Sequence, residues 1–495
     1  MMNRSRLTIQ PIIGLEIHVQ LATRTKLFCG CALEFGATPN SRVCPVCLGM
    51  PGVLPVMNRL AFEYSVRTAL ALNCDIARFT KWDRKSYYYP DLPKNYQISQ
   101  YDLPLGYDGS FEIPSDSADG TRKVGIIRAH LEEDAGKNLH ENPSVTQVDL
   151  NRTGTPLLEI VTMPDIASAD EAYTFCVELQ RLVTYLGVSE ASMQKGQMRF
   201  EPNINVLIVH DGVEYRTPIS EVKNLNSFKS VRGAIAYEIE RQVNDWMADR
   251  DYVKEKRPKE NRGWDDVREV TEYQRGKEEA HDYRYFPDPD LVPVEVDDAW
   301  LDKARASVTE LPLQRRARFE NEFGMSTKDA ETILADRATA ELFEEAAALG
   351  HPTTLGKQFI SFWQAHANNQ HTTIADLGIN AARLGELSKI TADGVINATA
   401  AQKVAEAMLT SDDTPSAIAE REGLIQVRDE SQMTAWVEQA FANNEKAVND
   451  AGNDPKRQQK ARGFLVGQVM RISGGKADPK IVGELIDKKL ADLGS

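Results

Sequence analysis

The segment 13–21, IGLEIHVQL, alternates apolar and polar residues without interruption. Successive side chains of an extended chain point to opposite faces, so this pattern predicts a strand with one apolar and one polar face. The apolar face carries Ile13, Leu15, Ile17, Val19 and Leu21. Glu16 and His18 share the polar face, at a spacing that suits joint metal coordination or acid–base chemistry. An ordinary solvent-facing strand would show the same alternation.

A second segment, 128–134, concentrates carboxylates on a predicted strand. Alternation places His130, Glu132 and Asp134 on one face and Glu133 on the other. Like charges on one strand face repel each other, and a divalent cation would offset this repulsion. Because Mg²⁺ prefers oxygen ligands and is often shared with substrate phosphates, the segment indicates a magnesium site.

Two further segments combine carboxylates with amide and basic side chains. These side chains are Arg199 and Glu201 in segment 198–206, and Glu221, Lys223 and Asn224 in segment 219–228. Carboxylates for a metal and cationic groups for phosphate oxygens are the components that phosphoryl transfer requires. The turn at Gly474, Gly475 and Lys476 lacks the leading glycine and the Ser or Thr of a P-loop. A phosphate site would therefore have to lie on a sheet surface.

The run 88–102, YYPDLPKNYQISQYD, is too aromatic and stiff for a disordered linker and too polar for a core. Functional residues concentrate on loops that a scaffold holds in place. The run therefore predicts either a shaped surface for a polar ligand or a structural Tyr/Pro loop.

Composition divides the chain into a β-rich part and a helical part. To about Asp297 the sequence is rich in β-branched residues, Gly and Pro, with several alternating runs, which indicates a mostly antiparallel α+β domain. After Trp300, apolar residues recur at helical spacing among Ala, Glu, Arg and Lys. We predict an α+β domain over 1–297, a helical domain over 298–412 and a small helical tail over 413–495. The very polar segment 249–281 is predicted to be a loop or insertion.

Charge is distributed unevenly along the 495 residues. The net charge of −15 argues against a general nucleic-acid binder. Residues 451–495, however, carry nine Lys and Arg against five Asp and Glu, a net +4, which leaves −19 on the other 450 residues. A basic tail on an acidic body indicates a local polyanion contact, although a solvated helix face has the same composition. The candidate phosphate contacts are Lys456, Arg457, Lys460, Arg462, Arg471 and Lys476.

The sequence shows no run of about 18 apolar residues and no apolar segment of a secretory signal near its start. We therefore expect a cytoplasmic protein with no membrane partner.

Four cysteines follow the spacing C-x-C-x12-C-x2-C: Cys29, Cys31, Cys44 and Cys47. In a reducing compartment this spacing is typical of a tetrahedral zinc site. Four thiolates would leave no open coordination position, so we expect a structural zinc ion. Chance clustering of free thiols is the alternative.

Long runs of the chain resemble the B-subunit family of the bacterial glutamyl/aspartyl-tRNA amidotransferases. The runs are IGLEIHVQL, VCPVCLGMPGVLPVMN, YYYPDLPKNYQISQYD, HLEEDAGK, VDLNRTGTPLLEIVTMPD, SEVKNLNSF, KEEAHDYRYFPDPDL, GFLVGQVM and GGKADP. They extend over nearly the whole chain, and several are ten or more residues long. The resemblance implies a cradle-shaped catalytic domain with an antiparallel sheet of the glutamine-synthetase and guanidino-kinase type. A helical domain and a small tRNA-binding helical tail would follow.

The resemblance also implies a two-stage ligase reaction. ATP phosphorylates the side-chain carboxylate of misacylated Glu-tRNA(Gln) or Asp-tRNA(Asn), and ammonia then displaces the phosphate to form the amide. The ammonia would come from an amidase A subunit, in a heterotrimer that also contains a small C subunit. A zinc-bearing tRNA-binding scaffold and a free-standing ligase for small molecules are the competing functions. The carboxylates argue against the first, and the basic tail argues against the second.

By this resemblance His18, Glu133, Glu201 and Glu221 fall on the Mg²⁺ and ATP positions, with Glu16 beside them. Alternation favours Glu132 instead of Glu133, and a β-bulge could reconcile the two, so both stay candidates. The side chains expected around the nucleotide are Arg84, Lys85, Arg152, Arg199, Lys223 and Asn224. The family usually has Asp where Glu201 stands, so this carboxylate reaches one methylene further.

Overall fold

The computed structural model describes residues 4, 7–142, 144–276, 283–426, 429–445, 448 and 455–493. At residues 140–142, 275, 276, 430, 455–458, 492 and 493 it describes the backbone alone. The chain forms two compact units, residues 1–313 and 314–495. The change in composition near residue 300 comes before this boundary. Helix α4 (Asp298–Ala306) follows that change but still buries Leu301 in the core of the first unit. The division into three domains stays a prediction.

Seventeen strands lie in the described part of the first unit. They are β1 (Leu7–Gln20), β2 (Asp75–Ile76), β3 (Phe79–Thr80), β4 (Asp83–Ser86), β5 (Tyr96–Ser99), β6 (Gly106–Pro114), β7 (Thr121–Glu133), β8 (Lys137–Asn142), β9 (Val145–Asp149), β10 (Pro156–Thr162), β11 (Met198–His210), β12 (Val213–Arg216), β13 (Ser220–Lys223), β14 (Glu260–Asp265), β15 (Val270–Gly276), β16 (Phe286–Pro287) and β17 (Val294–Glu295). Ten of them form one sheet in the order β15-β14-β13-β11-β1-β10-β7-β6-β2, with β12 also paired to β11. Within it, the pair β13–β14 is parallel and the other pairs are antiparallel. The predicted α+β class is confirmed.

Strand β1 lies at the centre of this sheet and shows the predicted alternation. Its apolar side chains, from Ile13 to Leu21, are at most 1% exposed. They share one core with helices α1 (Arg59–Ala71), α2 (Ala169–Tyr185) and α3 (Phe228–Ala248). Each helix begins at a capping side chain, Asn58, Ser168 or Ser227, which accepts a backbone N–H of the first turn. The opposite, polar face of β1 takes no part in this core.

The polar segment 249–281 contains two strands, so the prediction of a loop is wrong there. Strand β14 pairs with β13, and β15 pairs with β14. A buried ion-pair network stabilises these polar strands, in addition to the packing of Trp264 of β14 in the main apolar core. Arg241 and Arg262 contact the fully buried Glu238 carboxylate at 2.7 and 3.1 Å, and Thr271 donates to it as well. Residues 277–282 lie outside the described part.

The Tyr/Pro run 88–102 contributes β5 to a small sheet of order β16-β4-β5. This sheet is docked on the end of β7 by two amide side chains. Gln97 Nε2 donates to the Glu133 carbonyl at 2.7 Å, and the Leu131 N–H donates to Gln100 Oε1 at 3.0 Å. The run therefore fixes β4 and its flanking residues beside the polar end of β7.

The second unit is helical in its described residues. Its helices are α5 (Pro312–Phe323), α6 (Thr327–Ile333), α7 (Arg337–Leu349), α8 (Pro352–Gln358), α9 (Gln364–Asn369), α10 (Ala381–Ala392), α11 (Ala398–Met408), α12 (Pro415–Arg421), α13 (Glu430–Ala442), α14 (Pro455–Ile472) and α15 (Pro479–Leu493), with a π-helical turn at Phe359–Trp363 and a 3₁₀ turn at Ala375–Leu377. Helices α13, α14 and α15 enclose a core of their own, which includes Val437, Leu465 and Val482. Gly474 and Gly475 adopt φ of 62° and 82° in the turn between α14 and α15, as the Gly-Gly pair predicts.

Candidate active site

Strand register brings four acid and imidazole side chains into one group on the polar face of the sheet. Antiparallel pairing sets His18 of β1 opposite Glu159 of β10, and Glu159 opposite His130 of β7. Side chains on directly opposite positions lie about 5 Å apart, so their polar groups can meet. Glu132 follows two residues after His130 and therefore points to the same face.

His18 is the centre of this group. Its Nε2 lies 3.2 Å from Glu132 Oε1, 3.5 Å from Glu159 Oε2 and 4.0 Å from Glu16 Oε1. Burial opposes the charge on this imidazole, but hydrogen bonds and Coulomb attraction from Glu132 and Glu159 prevail and raise its pKa to about 10. The site thus has an excess of carboxylate charge that His18 offsets by keeping a proton.

His130 and Glu159 complete the group. The sequence places His130 on the polar face of segment 128–134 without assigning it a role, and it does not predict Glu159 as a site residue. His130 Nε2 lies 3.6 Å from Glu159 Oε2. Burial lowers the pKa of His130, whereas the positive charges around Glu159 outweigh burial and hold the pKa of this carboxyl well below its usual range. Glu159 interrupts the apolar stretch 157–161, LLEIV, so a lone carboxylate in a buried strand was the signal that could have identified it.

Glu133 lies on the other face of β7 and does not join this group. Its Oε1 accepts a hydrogen bond from the Ile98 N–H at 3.0 Å and pairs with Lys94 Nζ. The pair borders a cavity of about 200 Å³ that also contacts Lys26 and Cys47. No bulge interrupts the β7–β10 register at this point, because the irregularity lies between Val161 and Thr162. This geometry places Glu132, and not Glu133, beside His18; which of the two glutamates binds a metal stays a prediction.

Glu201 and Glu221 form a second group on the same sheet, around Lys223. The Lys223 ammonium contacts the Glu201 carboxylate and lies 2.9 Å from Glu221 Oε1, and Lys259 also pairs with Glu221. Burial opposes ionisation of Glu221, but Lys223 and Lys259 lower its pKa to about 2. In the described part of the chain, Glu16, His18 and Glu159, and likewise His130, Glu132 and Glu159, lie close enough to share one ion. The structure does not bring Glu201 and Glu221 into that donor set.

The expected phosphate-binding side chains differ in their surroundings. Lys85 is half-buried beside the site; desolvation disfavours its charge, but Coulomb attraction from Glu132 prevails and raises its pKa. Arg152 and Arg199 both pair with Asp134, at 2.9 and 3.0 Å. Two others have structural partners instead: Arg84 contacts Asp288 and Asp290, and Asn224 donates to the Trp264 carbonyl. Lys85 and Arg199 are therefore the cations best placed beside His18 and Glu132.

The four predicted cysteines converge, and none of them is in a disulfide. Cys47 Sγ lies 3.5 Å from Cys29 Sγ and 3.7 Å from the sulfurs of Cys31 and Cys44. A tetrahedral zinc ion with Zn–S bonds of about 2.3 Å would hold its sulfurs about 3.8 Å apart. The thiol geometry therefore fits a structural zinc ion.

A buried lysine accompanies this cysteine cluster. Lys26 is fully buried, and its Nζ lies 3.4 Å from both Cys47 Sγ and the Leu150 carbonyl oxygen. A hydrogen bond from Cys29 and the charge of Lys26 help to lower the pKa of Cys47 to about 4. Four thiolates around Zn²⁺ carry a net charge of −2, which an adjacent ammonium group would partly offset.

The candidate tail cations are distributed over two helices and the turn between them. Lys460 and Arg471 are exposed on α14, and Lys476 is exposed in the turn before α15. Arg462 forms an ion pair with Asp487, because its Nε lies 2.7 Å from Asp487 Oδ1. The side chains of Lys456 and Arg457 lie outside the described part of the structure. Among the helices that the structure describes, none is long and apolar enough to cross a membrane.

Comparison with known proteins identifies the family. The GatB/GatE catalytic domain matches residues 11–302, and the GatB domain matches residues 341–490. The B subunit of the aspartyl/glutamyl-tRNA(Asn/Gln) amidotransferase from Carboxydothermus hydrogenoformans is 43% identical over 489 residues, which cover 98% of this chain and 99% of the relative. Proteins with the same name from Rhodopirellula baltica and Geobacter sulfurreducens are each 45% identical, over 98% and 97% of this chain and 97% and 99% of their own lengths. The chain therefore belongs to the B-subunit family of the aspartyl/glutamyl-tRNA(Asn/Gln) amidotransferases.

Proposed function

We propose that this chain activates the side-chain carboxylate of misacylated Glu-tRNA(Gln), Asp-tRNA(Asn) or both. The carboxylate oxygen attacks the γ-phosphorus of ATP, which forms an acyl phosphate and releases ADP. Ammonia from a partner amidase subunit then attacks the acyl carbon, and phosphate leaves to give the amide. The observation that carries the proposal is the group of His18 with Glu132 and Glu159 on a sheet of this family.

The residues of this group fit a divalent cation. Glu16, Glu132 and Glu159 supply oxygen donors, which Mg²⁺ prefers. The Nε2 atoms of His18 and His130 face these carboxylates, at 3.2 Å from Glu132 and 3.6 Å from Glu159. When bound, Mg²⁺ would neutralise charge on the nucleotide phosphates. Glu16, His18 and Glu159, or His130, Glu132 and Glu159, are the residues that would hold it, and a ligating His18 would release its proton.

The surrounding cations would orient the phosphates and the acyl group. Lys85 and Arg199 are fixed on β4 and β11, and both experience the charge of Glu132. Positive groups that are held in place before the reaction stabilise the charge that develops on a transferring phosphoryl group. Lys223, held between Glu201 and Glu221, would extend this field along the sheet.

The remaining elements have supporting roles in this proposal. The cysteine cluster holds a structural zinc ion, and the basic tail binds tRNA. The A and C subunits of a heterotrimer are the expected partners, with the amidase A subunit as the source of ammonia. Such an assembly would operate in the cytoplasm.

The test uses the chain assembled with its amidase subunit and supplied with misacylated tRNA. Ammonium chloride in place of glutamine isolates the activation step from the ammonia source. We expect His18→Ala and Glu132→Gln to abolish tRNA-dependent ADP formation, while glutamine hydrolysis by the partner persists. Glu112→Gln, an exposed carboxylate elsewhere on the sheet, is the matched control. Full transamidation by His18→Ala at saturating Mg²⁺ would show that the site assignment is wrong.

A further inference from the structure

Four tyrosines lead outward from the carboxylate group to the surface. Tyr101 stacks on Tyr285 with ring centroids 3.9 Å apart and planes inclined by 10°. Tyr285 contacts Tyr283 edge-on at 6.0 Å, and Tyr283 contacts Tyr87 at 6.1 Å. Lys85 Nζ lies 4.9 Å from the centre of the Tyr283 ring. The aromatic series therefore runs from Tyr87 through Tyr283, which lies next to Lys85, and Tyr285 to Tyr101.

The middle of this series, at Tyr283 and Tyr285, lies close to the charges of the site. The Tyr285 hydroxyl is half-buried and experiences the charges of Lys85, Glu132 and Glu159. The outer end is open, because Tyr101 is 58% exposed although Tyr285 covers one face of its ring. A flat apolar surface thus lies at the rim of a charged site.

Tyr101 is held firmly despite its exposure. Its backbone N–H donates to Asp83 Oδ2 at 3.2 Å, and the Asp83 carboxylate is buried and paired with Lys81. The neighbouring Gln100 ties the same stretch to β7 through its hydrogen bond with Leu131. The ring is consequently preorganised and would lose little conformational freedom when a ligand stacks on it.

We propose that the open face of Tyr101, backed by Tyr285, binds an adenine ring beside the carboxylate group. Aromatic side chains stack on nucleobases, and the adjacent Lys85 and carboxylate group suit the phosphates attached to the base. The inference rests on the proposed function, which provides two sources of adenine: ATP and the terminal adenosine of tRNA.

The test measures equilibrium binding to the full chain in the presence of Mg²⁺. The four probes are ATP, inorganic tripolyphosphate, tRNA with its 3′-terminal adenosine and the same tRNA without it. Tyr101→Ala removes the stacking surface, and Tyr101→Phe keeps the ring. Tyr273→Ala is the matched control, because Tyr273 is 60% exposed on the edge strand β15. Thermal unfolding of each variant checks the fold.

We expect Tyr101→Ala to weaken the binding of one adenine-bearing probe by about 5- to 150-fold, the range found for loss of one base-stacking side chain. Tyr101→Phe should retain most of the affinity. A loss for ATP but not for tripolyphosphate assigns the site to ATP. A loss for intact tRNA but not for truncated tRNA assigns it to the terminal adenosine.

Unchanged affinity of Tyr101→Ala for both ATP and intact tRNA overturns the inference. An equal loss in Tyr273→Ala, or an equal loss for the probes without adenine, overturns it too. Failure of the proposed function has a different signature: the wild-type chain then binds neither ATP nor tripolyphosphate with Mg²⁺. That result removes ATP as the source of the adenine, and the two tRNA probes then decide the inference alone.

Discussion

Glu132 and Glu133 meet different electrostatic surroundings, because β7 turns successive side chains to opposite faces. Glu132 faces the His18 imidazole at 3.2 Å, whereas Glu133 is already paired with the Lys94 ammonium. A carboxylate whose charge is offset by a buried ammonium gains less from a metal than one whose neighbours are also anionic. The two adjacent glutamates therefore differ in the charged group that each one contacts: His18 for Glu132 and Lys94 for Glu133.

At this scale we predict that Glu132→Gln and Glu159→Gln each lower the affinity for Mg²⁺ by at least about tenfold. Glu133→Gln should leave it within about twofold, since its side chain is directed away from His18. Titration with Mn²⁺, followed by its electron paramagnetic resonance signal, measures the affinity directly. Equal losses in Glu132→Gln and Glu133→Gln would contradict the assignment.

At the scale of elements, two parts of the fold combine contacts to the apolar core with groups of polar or metal-ligating side chains. Residues 22–58 contain no helix or strand of regular length and converge on the four cysteines instead. Strands β13, β14 and β15 depend on the buried network around Glu238, which Gln242 joins with a hydrogen bond of 3.2 Å. In both parts polar or metal-ligating groups add to the apolar contacts that Leu27, Val222 and Trp264 make in the main core.

We predict that one equivalent of zinc co-purifies with the chain and that Cys44→Ser loses it. Metal binding at such sites contributes folding free energy directly, so the variant should also unfold at a lower temperature. Limited proteolysis should then cleave within residues 32–57, while α1 to α3 stay protected. Elemental analysis that finds no zinc in reduced protein prepared without chelators would reject this role.

A second prediction at this scale concerns Glu238→Gln. Burial raises the pKa of this carboxyl, but its hydrogen bonds with Arg241 and its other cationic neighbours prevail and lower it overall. A carboxyl whose pKa is lower in the folded state than in the unfolded state stabilises the fold. This stabilisation is complete above the unfolded-state pKa of about 4.3 and is lost as the pH falls through the folded-state pKa. Removing one partner of a buried pair costs about 3–5 kcal/mol.

The variant should therefore have a free energy of unfolding about 3 kcal/mol lower at pH 7. Its stability should also fall less steeply than that of the wild type below about pH 4.3. Urea unfolding at several pH values measures both effects. Glu112→Gln, which removes an exposed carboxylate, serves as the control, and the same loss in it would show that the network is not responsible.

At the scale of the whole molecule, residues 451–495 differ from the rest of the chain in the sign of their net charge. Residues 451–495 have a net charge of +4 and the other 450 residues have −19, so the body repels a polyanion and this basic segment attracts it. Its helices α14 and α15 share a core with α13, which keeps the exposed Lys460 and Arg471 on a folded surface. Phosphate contacts release counterions, which makes such binding dependent on salt.

We predict that Lys460→Ala with Arg471→Ala weakens tRNA binding and lowers the slope of log Kd against log salt by about 1 for each phosphate-binding side chain removed. Lys123→Ala with Lys229→Ala removes the same charge from exposed positions of the first unit and should change the slope little. Binding measured from 50 to 300 mM salt, about the range over which such interactions weaken strongly, provides both quantities. An unchanged slope in the tail variant would show that these residues do not bind phosphate.

Local pattern was sufficient to predict several parts of this protein. The alternation of residues 13–21 predicted the strand and both of its faces, and the spacing of the cysteines predicted their convergence. The Gly-Gly pair predicted the turn between two helices. Each of these features depends on side-chain periodicity or on spacings of a few residues, which are properties of the chain alone.

Tertiary structure decided which distant residues meet. Glu159 joins His18 only because β10 pairs with β1 across more than a hundred residues, and no local signal specifies that register. The position of Glu132, and not Glu133, beside His18 follows from the uninterrupted pairing of β7 with β10. The polar strands β14 and β15 form because α3 supplies charged partners from another part of the chain. Periodicity shows which face a side chain occupies, whereas its neighbours on that face are set by the packing of the whole sheet.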